Sequence, residues 1–287
     1  MTHPRNHQKA LNRRSFLKIS GTALLAGLGV AMAYMYLGNE VNDPVVEYID
    51  ISIPDLPSAL EGFRIVQISD IHYYPITTLQ LVDQAVQMAN ELEPDLILLT
   101  GDYVWHEVEA IFDLMPSLSR LNARYGVYAN LGNHDLWTDV NVVTQAFREI
   151  GMPLLVNQGL PISLGSDSLY LASLDDGWSG KPDLSAAMLN RPDSAPTILM
   201  MHEPDLADKY SKDPRINLQL SGHSHGGQIR FPFVGALIYP YLSWKYPIGL
   251  YNINGMWLYT NRGLGTTNIP LRVNCAPEIT ELTLLSK

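Results

Sequence analysis

Short apolar runs alternate along this chain with segments of helical periodicity. The runs are rich in Val, Ile and Leu and are bounded by polar residues, Gly or Pro, which is typical of buried strands. They predict strands at Val45–Ile51, Phe63–Ile68, Leu96–Thr100, Val127–Asn130, Leu169–Ala172, Ile198–Met201 and Leu218–Leu220.

Two of the intervening segments have the pattern of amphipathic helices. In Thr78–Glu91 and Asp139–Ile150, apolar residues recur at three- and four-residue spacing, and Pro94 follows the first segment. Strands that alternate with helices predict an α/β protein whose sheets are covered by helices. The later strands have shorter loops and include a hairpin-like stretch at Tyr251–Tyr259, so we expect a second, more antiparallel sheet.

The N-terminal segment has the organisation of an export signal. Basic residues precede an apolar run at Ile19–Leu37, and the triplet Ala31-Met32-Ala33 offers small residues for cleavage. The segment Asn12–Lys18, with adjacent arginines, resembles a twin-arginine signal, which implies the twin-arginine translocase as a partner during export of a folded protein. The alternative is an ordinary membrane anchor in which the two arginines are adjacent by chance.

Cleavage of this segment stays open. The apolar run of 19 residues is close to the ~20 that span a bilayer, so the helix could remain as an anchor with its positive end in the cytoplasm. We therefore expect residues 1–37 to be a twin-arginine signal peptide or an uncleaved anchor. The polar residues 39–44 are expected to be a linker, and we expect residues 38–287 to form one domain outside the cytoplasm.

The charge distribution limits the classes of partner. Residues 1–33 contain five basic residues and no acidic residue, so the rest of the chain has 14 basic and 29 acidic residues. An acidic body argues against nucleic acid as a partner and against purely electrostatic adhesion to anionic lipid headgroups. A charged substrate would need a local positive site, such as a metal. The one cysteine, Cys275, excludes an intramolecular disulfide and is expected to be a small buried residue near the last strand.

Polar side chains follow five of the predicted strands directly. Ligands of open α/β sheets bind just beyond the carboxyl ends of the strands, so we expect these side chains to share one rim. A single histidine after a strand is more often a structural residue than a metal ligand. A structural role is hard to assign to polar side chains that follow five strands in the same way. Oxygen and imidazole donors without thiolates suit Mn, Fe or Zn at a catalytic site. The residues are Asp70, His72, Asp102, Asn133, His134, Asp135, His202, His223 and His225.

The order of these residues resembles a known family. The motifs that match are Asp70-Ile71-His72, Gly101-Asp102, Gly132-Asn133-His134-Asp135, Met201-His202 and Gly222-His223-Ser224-His225. They are similar to the ordered motifs of calcineurin-like metallophosphoesterases, and segments 226–228, 261–265 and 277–279 resemble the exported branch of that family. The resemblance implies an α/β fold, a four-layer αββα sandwich of two mixed sheets of the metallo-dependent phosphatase type.

The resemblance also implies a site with two divalent or trivalent metal ions, with Mn, Fe or Zn as the candidates. Asp102 would be the shared ligand that two ions about 3.5–4 Å apart require. One ion would be completed by Asp70, His72 and His225, and the other by Asn133, His202 and His223. Such ions could make hydroxide available near neutral pH for in-line attack on phosphorus.

His134 is implied to have a role other than metal ligation. By resemblance it projects toward the leaving-group oxygen as a general acid or transition-state donor, with Asp135 fixing its ring. Asp135 could instead, or in addition, cap the helix that follows it.

Several positions outside these motifs allow more than one interpretation. Many family members have an acidic residue and an arginine where this chain has Trp105 and His106, which removes outer support expected from that loop. His106 could touch substrate or be an exposed histidine without a role. Arg262 could reach a phosphate oxygen or form a plain ion pair. The aromatic-rich stretch Phe231–Tyr251 could receive an acyl chain, lie against a membrane or pack the second sheet.

These observations predict hydrolysis of phosphate esters in the cell envelope. Phosphodiesters are favoured as substrates, with phospholipid-like molecules among the candidates, and the N-terminus provides a possible membrane association. A catalytically idle envelope-binding protein would keep the same fold, although it would usually lack Asp102 or His134. A metallo-β-lactamase-type hydrolase is excluded because the chain has no His-x-His-x-Asp-His run.

Overall fold

A computed structural model describes residues 13–287, apart from the side chains of residues 28 and 31. Arg5 and Lys9 of the expected signal lie outside the described residues. The described residues form two compact units, which meet between Asn39 and Glu40, and the second spans Glu40–Lys287. In the first unit, helix α1 spans Arg13–Leu37. Among the described residues α1 is the one helix that is long and apolar enough to cross a membrane, a property that signal sequences share.

The second unit consists of thirteen strands and six further helices. The helices are α2 (Leu79–Glu91), α3 (Ile111–Leu118), α4 (Asn133–Thr138), α5 (Val140–Glu149), α6 (Leu184–Ala187) and α7 (Ala207–Tyr210). The strands are β1 (Val45–Ile53), β2 (Arg64–Ile68), β3 (Leu96–Thr100), β4 (Val127–Asn130), β5 (Gln158–Leu164), β6 (Asp167–Ser173), β7 (Thr197–Met200), β8 (Leu218–Ser221), β9 (Arg230–Phe231), β10 (Gly235–Ala236), β11 (Gly249–Ile253), β12 (Met256–Thr260) and β13 (Glu278–Ser286).

The strands form two mixed sheets and one small hairpin. The first sheet has the order β1-β13-β2-β3-β4, and the second has the order β11-β12-β8-β7-β6-β5. Strands β2, β3 and β4 are parallel neighbours in the first sheet, and β6, β7, β8 and β12 are parallel neighbours in the second. Strands β9 and β10 pair separately as an antiparallel hairpin.

Alternation of side chains along the strands divides the core into layers. Ile65 of β2 packs with residues of the second sheet, such as Leu171 and Ile198, whereas its neighbour Val66 packs with helices α2, α3 and α5. On the far side, β6 and β7 pack against α6 and α7, with Tyr210 fully buried there. Successive residues of a strand point to opposite faces, so one short apolar run serves two layers. The result is the expected four-layer αββα sandwich.

All seven predicted strands and both predicted helices are present, with ends shifted by at most two residues. The hairpin expected at Tyr251–Tyr259 is the antiparallel pair β11–β12. The expectation of a second, more antiparallel sheet is only weakly met, because four of its strands are parallel and the antiparallel pairs lie at its two edges. Shorter loops in that half connect parallel strands through the very short helices α6 and α7.

Candidate metal centre

The candidate ligands lie at the carboxyl ends of β2, β3, β4, β7 and β8, in the loops that follow these strands or, for Asn133, at the start of α4. Since the strands are parallel within each sheet, their carboxyl ends face one rim of the sandwich. The seven residues are buried: Asp70, His72, Asp102, Asn133, His202, His223 and His225. Burial of this many polar side chains together is costly unless they are paired or bind an ion.

Ligand atoms of these residues form overlapping clusters. The donor atoms of Asp70, His72 and His225 lie within 4.8 Å of one another, and so do those of Asp102, His202 and His223. A third group, also within 4.8 Å, joins His72 and Asp102 to a partly exposed His134. The first two groups have the composition predicted for two metal sites.

Asp102 lies between the two groups. Its Oδ2 is 3.4 Å from Nε2 of His72 and 3.2 Å from Nε2 of His202. Its other oxygen, Oδ1, accepts a hydrogen bond of 2.8 Å from the backbone N–H of His134. One carboxylate oxygen is therefore fixed by the backbone, while the other faces a histidine from each group.

Asp70 has the corresponding place in the first group. Its Oδ1 is 3.3 Å from Nε2 of His225 and 3.9 Å from Nε2 of His72. The carboxylate accepts hydrogen bonds from the backbone N–H of His223 and from the hydroxyl of Ser69. These bonds join the loop after β2 to the loop after β8, which belong to different sheets.

Backbone carbonyls orient two of the histidine rings. Nδ1 of His202 is 2.6 Å from the carbonyl of Thr100, and Nε2 of His223 is 2.7 Å from the carbonyl of Tyr241. Each ring nitrogen next to a carbonyl must carry the proton, so Nε2 of His202 and Nδ1 of His223 present lone pairs in the neutral ring. A second ring nitrogen held by an acceptor is the usual arrangement of metal-binding histidines.

Unpaired buried atoms provide a test of whether metal ions fit. Nε2 of His202 and Oδ1 of Asn133 are buried without a hydrogen-bond partner. The nearest acceptor to Nε2 of His202 is Oδ2 of Asp102, at 3.2 Å. A buried acceptor without a donor is expensive, and a cation would satisfy both atoms. The donor set and these unpaired atoms fit metal ions.

The electrostatics of the site also favour the binding of metal ions. Burial lowers the pKa of both His72 and His225 well below the usual range, so their neutral rings can act as ligands near pH 7. Burial also lowers the pKa of His202, but the charges of Asp102 and Asp70 outweigh that effect and hold it well above its usual value. A field that favours a proton at this position also favours a metal cation.

Backbone strain is concentrated at the site. Five candidate ligands have positive φ values, namely Asp70 (49°), His72 (43°), Asp102 (60°), His223 (68°) and His225 (51°). Non-glycine residues in this left-handed region cost about 1–3 kcal/mol each and cluster at functional sites. Folding alone gives no reason to maintain such conformations at five ligands, which supports a site that is built for binding.

Two glycines allow the loops to approach each other. A Cβ atom at position 132 would lie 2.3 Å from Oδ1 of Asp102, and one at position 222 would lie 2.1 Å from Oδ2 of Asp70. Any side chain larger than hydrogen would push these carboxylates out of place. Gly132 and Gly222 are therefore required for the positions of Asp102 and Asp70.

Asp135 has a different partner from the one expected. Its carboxylate accepts hydrogen bonds from the backbone N–H groups of Asp102, Tyr103 and Gly132, rather than from the ring of His134. Asp135 is the third residue of α4, and its carboxylate binds the backbone N–H of the N-cap residue, Gly132. It therefore helps to cap its own helix and is not the N-cap residue of a following helix, which was the alternative interpretation. Burial, and then the charge of Asp102, raises the pKa of Asp135 to about 7, although the three amides oppose this shift.

The ring of His134 is held by aromatic contacts. Its centroid is 4.3 Å from that of Trp105, 4.7 Å from that of Trp137 and 4.7 Å from that of His72. The contacts observed for the Asp135 carboxylate are with backbone N–H groups, so its predicted support of the His134 ring stays a prediction. Trp105, in the loop after β3, supplies a ring that supports His134.

An aromatic rim continues from His134 around the opening of the site. Trp137 contacts Trp178, with ring centroids 4.8 Å apart, and Trp178 contacts both His223 and Tyr241. The backbone N–H of Trp178 is bound by the carboxylates of Asp176 and Glu203, which hold this loop in place. The sequence interpretation did not include Trp137 or Trp178. Trp137 could have been found from its spacing of three residues from His134 on a short helix.

Comparisons with known proteins agree with this geometry. The family model described as calcineurin-like phosphoesterase matches residues 63–227, which include every candidate ligand. This chain belongs to the calcineurin-like phosphoesterase family. The "Uncharacterized metallophosphoesterase YkuE" of Bacillus subtilis is 37% identical over 290 residues, covering 97% of this chain and 99% of the relative. The enzyme is thus a metal-dependent hydrolase of phosphate esters.

Two further relatives differ in the functions that their names state. "Phosphodiesterase YaeI" of Escherichia coli is 34% identical over 230 residues, which cover 78% of this chain and 82% of the relative. A "Transmembrane protein with metallophosphoesterase domain" of Danio rerio is 30% identical over 285 residues, which cover 95% of this chain and 63% of the relative.

The two weaker candidates for substrate contact have different surroundings in this phosphoesterase. The guanidinium of Arg262 forms ion pairs with Glu47 at 2.6 Å and with Glu278 at 2.8 Å, and Glu278 is buried. His106 is exposed and its ring lies 4.6 Å from that of Trp105. The observed contacts of Arg262 are therefore ion pairs, as one of its two interpretations predicted. The observed contact of His106 is with the ring of Trp105.

Proposed function

We propose that this protein hydrolyses phosphodiesters at a centre of two metal ions, and that it does so outside the cytoplasm. The observation that carries the proposal is the place of Asp102, whose free Oδ2 faces His72 on one side and His202 on the other at 3.4 and 3.2 Å. A carboxylate oxygen that lies between two groups of donors is better placed to be shared by two ions than to bind one ion alone.

The ligand assignment follows the two clusters. Asp70, His72 and His225 would hold one ion and Asn133, His202 and His223 the other, with Asp102 shared. The unpaired Oδ1 of Asn133 supports its inclusion in the second set. When bound, the two ions would neutralise phosphate charge and supply nucleophilic water near neutral pH. Mn, Fe and Zn all suit imidazole and carboxylate donors.

The residue proposed to deliver a proton is His134. It is only partly buried, so it can reach a substrate at the opening, and its backbone N–H is bonded to Asp102. This bond couples the position of the imidazole to the carboxylate that the two clusters share. A ring held between Trp105 and Trp137 has few orientations, so its donor can be aimed at a leaving alkoxide.

Two observations favour diesters and an extracytoplasmic location. The relative named "Phosphodiesterase YaeI" shares 34% identity over most of this chain. The adjacent arginines at 13 and 14 begin the apolar helix α1, which could be a signal or an anchor, and a relative of this chain is named as a transmembrane protein. Together these features support export by the twin-arginine translocase.

One kinetic experiment tests the proposed reaction. The chelator-treated full chain in detergent would be supplied with Mn, Fe, Zn, Co or Mg while hydrolysis of a chromogenic diester and its monoester is followed. We expect metal-restored turnover with a higher kcat/KM for the diester. A higher kcat/KM for the monoester would contradict the diester assignment, and turnover that chelator leaves unchanged would contradict metal dependence.

A separate experiment tests export. Lysine replacement of both arginines, at positions 13 and 14, should leave the protein in the cytoplasmic fraction because the twin-arginine pathway requires the pair. Unchanged export of this variant would contradict the assigned pathway.

A further inference from the structure

Residues 231–244, which follow the last candidate ligand, expose an unusual amount of apolar surface. We call this segment the apolar lip. Of the sixteen exposed large hydrophobic residues in the unit Glu40–Lys287, seven lie in these fourteen residues. They are Phe231, Phe233, Val234, Leu237, Ile238, Tyr241 and Trp244. Isolated exposed hydrophobic residues are ordinary, but a contiguous group marks an interaction surface.

The tip of the lip gains nothing from packing within the fold. Strands β9 and β10 form a hairpin, and Phe233 lies in its turn with the whole side chain exposed and φ at 65°. Turns of this kind favour Gly, Asn or Asp, because a bulky side chain is strained in the left-handed region. A fully exposed phenylalanine in this conformation is unfavourable for folding, so its role concerns something outside the unit.

The base of the lip is held firmly and is joined to the metal centre. The carboxylate of Asp205 accepts hydrogen bonds from the backbone N–H groups of Trp244, Lys245 and Tyr246. The carbonyl of Tyr241 accepts the hydrogen bond from Nε2 of His223. The lip is therefore an ordered platform beside the site, and its exposed side chains do not result from an unanchored loop.

The chemistry of the lip fits a lipid bilayer as the occupant. Residues 229–251 contain no acidic residue, although the whole chain has a net charge of −10, and Arg230 and Lys245 lie at the two ends of the lip. An anionic headgroup layer would therefore meet no like charge from the segment itself. Aliphatic and phenylalanine side chains at the tip, with Tyr241 and Trp244 nearer the base, are the order found where a protein enters the membrane interface. The same chain carries α1, whose length and composition suit a membrane.

We infer that the apolar lip inserts into the bilayer interface and so places the opening of the metal centre at the membrane surface. Insertion would be driven by burial of apolar side chains and not by charge, as the acidic body of the protein requires. Insertion of the lip does not depend on the proposed phosphodiesterase function. Its consequence does, because insertion would give the enzyme access to diesters that carry acyl chains.

The depth of the lip can be measured without reference to activity. Cys275 is buried and is the only cysteine, so a Phe233→Cys variant can be labelled selectively with an environment-sensitive fluorophore. The matched control is Leu189→Cys, an exposed apolar position that stands alone in the loop leading to the amino end of β7, away from the rim. The full chain would be placed in nanodiscs of phosphatidylethanolamine and phosphatidylglycerol, one chain per disc, with nitroxide-labelled lipid as quencher.

We expect strong quenching of the label at position 233 and little at position 189. Quenching at neither position, or at both to the same extent, would overturn the inference. The inference would also be overturned if the fluorescence of the label at position 233 changed without quencher and only in discs that hold two chains. In that case a second copy of the chain would be the occupant of the lip.

A second measurement separates this inference from the proposed function. Phe233→Glu should lower hydrolysis of a vesicle-embedded diester by on the order of tenfold, the effect of losing one buried phenylalanine, while turnover of a soluble diester stays at the wild-type value. Leu189→Glu adds the same charge and should change neither rate. If Phe233→Glu and the wild type hydrolyse the vesicle-embedded diester at equal rates, the lip assignment is overturned. If the wild type does not hydrolyse the soluble diester, the proposed function is contradicted instead.

Discussion

Replacement of Gly222 by alanine should disrupt the first of the two proposed metal sites, because it displaces the carboxylate of Asp70. The added Cβ would lie 1.9 Å from Oγ of Ser69 and 2.1 Å from Oδ2 of Asp70, and both of these residues are buried. Neither side chain is the flexible end of an exposed group, so the backbone or the carboxylate must shift. The displaced carboxylate would lose its hydrogen bonds from Ser69 and from the backbone N–H of His223.

The expected cost of Gly222→Ala follows from two contributions. Overpacking of a buried site costs about 1–3 kcal/mol. Loss of a hydrogen bond to a charged acceptor costs about 1.5–3 kcal/mol. The free energy of unfolding should therefore fall by about 2.5–6 kcal/mol, which lowers the Tm of a unit of this size by about 10 °C. Since a carboxylate displaced by about 1 Å can cost 10²-fold in rate, turnover should fall at least that far.

Thermal unfolding in the presence of chelator would measure the first effect without a contribution from bound metal. Metal titration by calorimetry and hydrolysis of a chromogenic diester would measure the second. The control is Gly151→Ala, where the added Cβ meets nothing within 4 Å and only the positive φ of 69° causes strain, at a cost of about 1–2 kcal/mol. Equal Tm values and equal metal affinities for the two variants would refute the described packing of Asp70.

Three further predictions follow from the contacts of the site. His134→Ala should lower kcat for a diester by about 10²–10⁴-fold while metal content, measured by elemental analysis, stays unchanged; loss of metal would instead make His134 a ligand. Arg262→Met should lower the free energy of unfolding in urea by about 3–5 kcal/mol, because it leaves the charge of Glu278 buried without its partner. KM should be unaffected, and a selective rise in KM would restore the phosphate-binding interpretation of Arg262. Metal removal should lower Tm by about 10 °C, corresponding to about 4 kcal/mol at a metal concentration of 1,000 Kd; an unchanged Tm would show that the buried donors do not bind an ion.

Patterns along the sequence were sufficient for most of the fold. Buried strands such as β3 (Leu96–Thr100) are fully buried and continuously apolar, so composition and length identify them. Strand β13 is not among the strands predicted from the sequence, because it lies inside the first sheet and yet carries Glu278, Thr280 and Glu281. Glu278 is buried only because Tyr259 and Arg262 reach it from elsewhere in the chain, and no local pattern shows such partners.

The candidate ligands could be predicted because strand ends deliver them in a fixed order. Their supporting contacts could not, since each depends on an element distant in sequence. Asp135 was expected next to the ring of His134, but the loop after β3 presents two backbone amides to its carboxylate. The support of His134 by Trp105 depends in the same way on the packing of two loops. Strain at Asp70 and the other ligands is likewise visible only in the backbone angles.

The exposed apolar lip illustrates a different limit. Aromatic and aliphatic residues at positions 231–244 have the composition of a packed sheet, and the sequence left that alternative open. Only the structure distinguishes packed from exposed side chains, and it leaves Phe233 and Ile238 outside the core.

The most direct test of the proposed two-metal centre is the metal content of Asp102→Asn. Wild-type protein, loaded with Mn or Zn and dialysed, should retain two ions per chain by elemental analysis and should hydrolyse a chromogenic diester. Asparagine offers only one oxygen and no charge, so the variant should retain fewer than one ion and show no measurable turnover. Two retained ions with wild-type turnover in Asp102→Asn would contradict the assignment of Asp102 as the shared ligand.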